Sequence, residues 1–89
     1  MTNYSNQEIV DRAIADLERH KGEWVKEDQL ELRMNQAGVT QMSIYNVIKK
    51  VKKVANIGAL WNKENRCMQY MWYARRAGDE RTEEAIENF

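Results

Sequence analysis

The chain has 89 residues, with 14 Lys and Arg against 14 Asp and Glu. That is room for one domain whose core is too small to wall off a substrate chamber, so neither an enzyme nor a small-molecule substrate is expected. One cysteine, Cys67, and one histidine, His20, exclude an internal disulfide and a Cys/His zinc site, leaving no cofactor and pointing to a reducing, cytoplasmic compartment. The absence of a basic start followed by an apolar run, or of a long uncharged stretch, argues against a leader or a membrane span.

The first helix is predicted from Ser5 as N-cap with Glu8 three residues on, followed by Ile9, Val10, Ala13, Ile14 and Leu17 on one stripe. Asp11, Arg12, Asp16 and Arg19 form its solvated face, His20 sits at its C-terminus as a capping residue, and Gly22 ends it. Glu23-Trp24-Val25 is a brief strand or a plug over the core. A short second helix runs from Lys26 to about Asn35, with Leu30 and Met34 four apart. Gly38 then supplies a turn, and Thr40 can cap a new helix.

The third helix carries Ile44, Val47, Ile48, Val51 and Ala55 as one apolar stripe. At about 100° per residue, Lys49 and Lys53 project opposite it, Asn46 lies beside them, and Lys50 and Lys52 flank them. After Asn56-Ile57-Gly58 the period falls to about two, and a β-hairpin is expected, with Asn62-Lys63-Glu64-Asn65 joining two aromatic-rich runs. Along the second run, Met68, Tyr70 and Trp72 share one face, and Cys67, Met71 and Tyr73 share the other. Residues 77–89 form an acidic tail, read as a frayed helix or a disordered segment.

The neutral total hides segregation. Residues 1–40 carry eight acids and five bases (−3), residues 41–76 eight bases and one acid (+7), and residues 77–89 five acids and one base (−4). A basic block on one helix and a hairpin is the footprint that phosphate neutralisation requires.

The run from Glu23 to Tyr73, EWVKEDQLELRMNQAGVTQMSIYNVIKKVKKVANIGALWNKENRCMQYMWY, resembles a winged helix-turn-helix domain, and the resemblance covers residues 8–76. Lys26 to Asn35 matches the family's positioning helix, Thr40 to Val51 the start of its recognition helix, and Asn56 to Leu60 the turn into its wing. The resemblance implies an α+β, mostly α fold: three helices plus a C-terminal β-hairpin wing over residues 1–76, followed by the acidic tail. It also implies sequence-specific binding of double-stranded DNA by the third helix and the wing, as in a small transcriptional regulator or replication accessory factor of bacterial or phage type. Gln41, Ser43, Tyr45 and Asn46 would then face base edges, Lys49, Lys50 and Lys53 phosphates, and Lys63 and Arg66 the wing contacts. Met42 and Tyr45 depart from the polar readers expected there.

Each assignment has a plainer counterpart. A KKVKK run is by itself a solvated face, and Ser43 and Asn46 are at home on any surface. Trp24, Trp61, Tyr70, Trp72 and Tyr73 could stack single-stranded bases, but a domain this small needs such side chains for its core. The rival functional reading is a winged-helix protein-interaction module acting through Trp61, Tyr70 and Trp72 on the hairpin and through the acidic tail, as a phage protein modulating a host protein would. A homodimer or a protein partner fits either reading, since a monomer would cover a single half-site.

Overall fold

The computed structural model describes residues 4–76 as a small α+β domain of three helices and a three-stranded antiparallel sheet. The predicted tail at 77–89 lies outside the described residues. Helix α1 spans Asn6–Arg19, strand β1 Val25–Lys26, helix α2 Glu27–Gln36, helix α3 Ile44–Val54, strand β2 Ala55–Asn62 and strand β3 Cys67–Arg75. The strand order is β1-β3-β2.

Helix α1 starts where a capping box can close. The Glu8 amide donates to Ser5 Oγ at 3.1 Å, and the Ser5 amide donates to Glu8 Oε1 at 3.0 Å. The Ser5 amide, then its hydroxyl and the nearby Arg12 charge, hold the Glu8 carboxyl below its ordinary value. The helix stops at Arg19, before Gly22; His20 is its C-cap, with Nδ1 2.9 Å from Asp16 O, and Gly22 takes the left-handed φ of +85° that the following turn needs.

The predicted stripe of α1 is fully buried, and it packs on α2, α3 and β3. Leu30 and Met34 of α2, Val39 of the following turn, and Val47, Ile48, Val51 and Val54 of α3 meet it in one core that Val25, Ala55, Tyr70 and Trp72 close from the sheet. The opposite face of α1 is not all solvated. Asp16 is buried, and Arg33 of α2 binds it bidentately, Nε to Oδ1 at 2.7 Å and the second guanidinium nitrogen to Oδ2 at 2.9 Å. Period alone placed Asp16 outside, but a carboxylate satisfied by a planar two-donor partner can be buried.

Three boundaries differ from expectation. Helix α3 is capped by Ser43, whose hydroxyl accepts the Asn46 amide at 3.3 Å, and not by Thr40. Val39 is buried just past the turn at 37–38, residues 39–42 are irregular, and Gln41 Nε2 donates to Tyr4 O at 2.6 Å. At its other end α3 finishes on Val54, and Ala55 is already extended, with φ −144° and ψ 154°, so helix passes into strand without a loop. Asn56-Ile57-Gly58 therefore lies inside β2 and is no separate turn.

The sheet also gains a strand. Val25 pairs with Tyr70 and Lys26 with Gln69, so the segment left open between strand and plug becomes β1. The hairpin pairs Asn62 with Cys67 through Ile57 with Trp72, and a bulge at Asn56/Ile57 shifts the register toward Ala55 and Arg75. Residues 63–66 make the connection. Asn62 Oδ1 accepts the Asn65 amide at 2.9 Å, Asn62 Nδ2 donates to Gln69 Oε1 at 3.1 Å, and Arg66 adopts φ +53°.

Candidate functional site

The exposed side of α3 is the best candidate site. Its position follows from amphipathicity: burying Val47, Ile48, Val51 and Val54 forces Tyr45, Asn46, Lys49, Lys52 and Lys53 to the surface. Asn46, Lys49, Lys50 and Lys53 recur at offsets of three, four and seven, and with Met42 they line an open groove of about 370 Å³. Lys52 and Lys53 fall in the last turn, where the helix dipole favours cations.

The predicted base readers separate into two groups. Gln41 and Ser43 lie before the helix and are occupied structurally, Gln41 by the Tyr4 carbonyl and Ser43 by the cap. Tyr45, 65% exposed, and Asn46 stand on the helix itself. Lys49 Nζ lies 5.6 Å from the centroid of the Tyr45 ring, so the two side chains one turn apart form a cation–π pair at the surface.

Lys63 and Arg66 are exposed in the hairpin connection. The eight residues of β2 put them about 25 Å beyond the end of α3. They are not in the groove. They extend the basic surface along a second element that leaves the helix directly. The two remaining bases of the +7 segment have structural partners: Arg75 lies 3.7 Å from Asp11, and the Arg76 guanidinium donates to Lys52 O at 3.2 and 2.9 Å.

The predicted protein-contact residues divide as well. Trp61 is 53% exposed, but Tyr70 and Trp72 belong to the core, at 4% and 5%, and cannot form part of an exposed aromatic surface. The core needs them because β3 is the central strand, and its inward residues must cover α1. The Tyr70 hydroxyl donates to Glu27 Oε2 at 3.4 Å. Burial first, then the Glu27 charge and this hydrogen bond, raise its pKa to about 12.

The aromatic surface that does exist lies elsewhere. Trp24, Leu60 and Tyr73 are 39%, 49% and 54% exposed. They gather on the side of the sheet away from α1, with Gly58 beneath: a Cβ there would stand 3.0 Å from the Tyr73 hydroxyl and 3.2 Å from the Trp24 ring. Glycine at 58 lets both rings lie close over β2. The sequence signal was a glycine inside a period-two run, a mark of close approach that the reading of Gly58 as a turn residue passed over.

Among the described residues no group of three or more His, Cys, Asp or Glu side chains could hold a metal ion, and no helix is long and apolar enough to cross a membrane. Comparison with known proteins finds no matching family model, no matching curated protein and no matching solved structure.

Proposed function

We propose that this chain binds double-stranded DNA as a winged helix-turn-helix protein, with α3 in the major groove and the β2–β3 hairpin as the wing. One observation carries the reading: Asn46, Lys49, Lys53 and the half-buried Lys50 line one groove on the helix that follows α2, and the hairpin leaving that helix carries Lys63 and Arg66 at its tip. Amides read adenine edges, and lysines spaced by one turn meet successive phosphates. Asn46 and Tyr45 are the base-facing residues in this account, Lys49, Lys50 and Lys53 the phosphate-facing ones, and Lys63 and Arg66 the wing contacts. The regulatory or replication role belongs to the same proposal.

Charge reversal on the helix tests it. In fluorescence anisotropy with a 30-base-pair duplex at low salt, Lys49→Glu/Lys53→Glu is expected to weaken the binding seen with the native chain by at least about tenfold, while Glu18→Lys on α1 leaves that binding in place. Equal affinity of the native and doubly reversed chains would refute the placement of α3 in the groove.

A second reading rests on a different observation, the exposed Trp24, Leu60 and Tyr73 on the outer sheet face. An exposed aromatic cluster of this kind suits a protein contact. Loss of a stoichiometric protein complex in Trp24→Ala/Tyr73→Ala, with duplex binding unchanged, is the result this second reading predicts.

A further inference from the structure

The groove on α3 has a second feature: the chain is delivered to it. Beyond β3, the Arg76 amide donates to Val54 O at 3.0 Å, and the Arg76 guanidinium donates twice to Lys52 O. These bonds satisfy carbonyls that the end of a helix leaves without partners, and they hold Arg76 at the C-terminal turn of α3. Lys53, the last lysine of the groove, lies between the two carbonyls that Arg76 binds.

What departs there is complementary to the groove in charge and in spacing. Residues 77–89 hold five acids and one base. Glu80, Glu83, Glu84 and Glu87 recur at offsets of three, four and seven, the same offsets at which Asn46, Lys49, Lys50 and Lys53 line the groove. The same segment carries the apolar Ile86 and Phe89, and the groove ends on the apolar Met42. Reach is sufficient: thirteen residues span at most about 45 Å, and an eleven-residue helix measures about 16 Å. The outer sheet face is within the same reach, but its exposed members Trp24, Leu60 and Tyr73 carry no charge to pair with an acidic segment.

We infer that the α3 groove is a docking surface for an acidic helical segment, and that its occupant is residues 77–89 of the same chain. The glutamate stripe lies along Lys49, Lys50 and Lys53, and Ile86 and Phe89 cover Met42. The contact does not depend on the DNA reading, because it forms with no nucleic acid present.

The test uses the full chain and no DNA. A nitroxide on Asn88→Cys, with Cys67→Ala so that one label is carried, is expected to remove more than half the amide signal intensity of Asn46, Lys49 and Lys53. Reduction of the label restores it, and so does 1 M salt, where the screening length is about 3 Å. A second measurement needs no cysteine change. Glu83→Lys/Glu84→Lys/Glu87→Lys is expected to shift the same α3 amides while leaving those of Trp24 and Tyr73 in place. Unattenuated α3 signals overturn the inference. So does attenuation centred on Trp24, Leu60 and Tyr73, or attenuation that appears equally in a mixture of labelled and isotope-enriched unlabelled chains, which would assign the contact to a second copy.

Discussion

Two side-chain pairs show how single residues set the behaviour of this domain. The Asp16–Arg33 bridge links α1 to α2, with the carboxylate almost wholly buried and the guanidinium one-third exposed. Removing one partner leaves the other desolvated, so Asp16→Ala or Arg33→Met is expected to cost about 1.5–3 kcal/mol in urea unfolding. Asp16→Ala/Arg33→Met together should cost less than the two single changes added, since no charge is then left behind. Additive losses would show that the bridge contributes only packing. Tyr70 adds a contribution to stability that alkali removes. Its pKa is near 12 when folded and about 10 when unfolded, so the folded chain keeps a proton that the unfolded chain releases. The Tyr70 contribution is therefore fully present below pH 10 and is lost as pH rises through 12. Tyr70→Phe should flatten that part of the profile in denaturant titrations, and an unchanged slope would place its origin in another group. Neither pair was legible beforehand: Asp16 sits at a polar position of a helical period, and only the position of Arg33 17 residues later makes its burial tolerable.

At the scale of elements, the sequence was most informative where one period ran long enough to be unambiguous. Ser5 and Glu8, then Ile9 to Leu17, specify the start and buried face of α1, and the stripe from Ile44 to Val51 specifies the inward face of α3 but not its start. Boundaries were less legible because local pattern and tertiary pairing compete there. Ala55 continues the apolar stripe of α3 and stays buried, yet its backbone belongs to β2, whose pairing with β3 is set by residues up to 20 positions away. Strand β1 is two residues long and exists only because Val25 meets Tyr70, a pairing that no window on the sequence contains. In the hairpin, Arg66 holds a left-handed φ of +53° without the glycine that suits it. Arg66→Gly is expected to stabilise the domain by up to about 1 kcal/mol while weakening duplex binding through the lost charge. A fall in stability would mean that the Arg66 side chain itself supports the turn. The candidate site was legible in part for the same reason. The lysine stripe follows from the helical period, whereas the structural duties of Gln41, Ser43 and Arg76 depend on Tyr4, the true cap and the exit of β3.

For the whole molecule, the decisive property is the arrangement of charge around a small core. Zero net charge coexists with a +7 segment and a −4 segment, and the chain returns to α3 at Arg76 just where the acidic residues begin. If the lysine stripe of α3 meets phosphates, and residues 77–89 occupy the same stripe when DNA is absent, then Glu83→Lys/Glu84→Lys/Glu87→Lys should tighten duplex binding. Unchanged affinity in that variant would separate the docking contact from DNA binding without contradicting either alone. The central claim, that α3 and the hairpin neutralise phosphates, is tested most directly by the salt dependence of binding to a random 30-base-pair duplex between 50 and 200 mM. Five contacts, from Lys49, Lys50, Lys53, Lys63 and Arg66, predict a loss of roughly 500-fold for the native chain, and the three contacts left in Lys49→Glu/Lys53→Glu predict about 40-fold. Equal salt slopes for the two chains, or native binding indifferent to salt, would contradict the account.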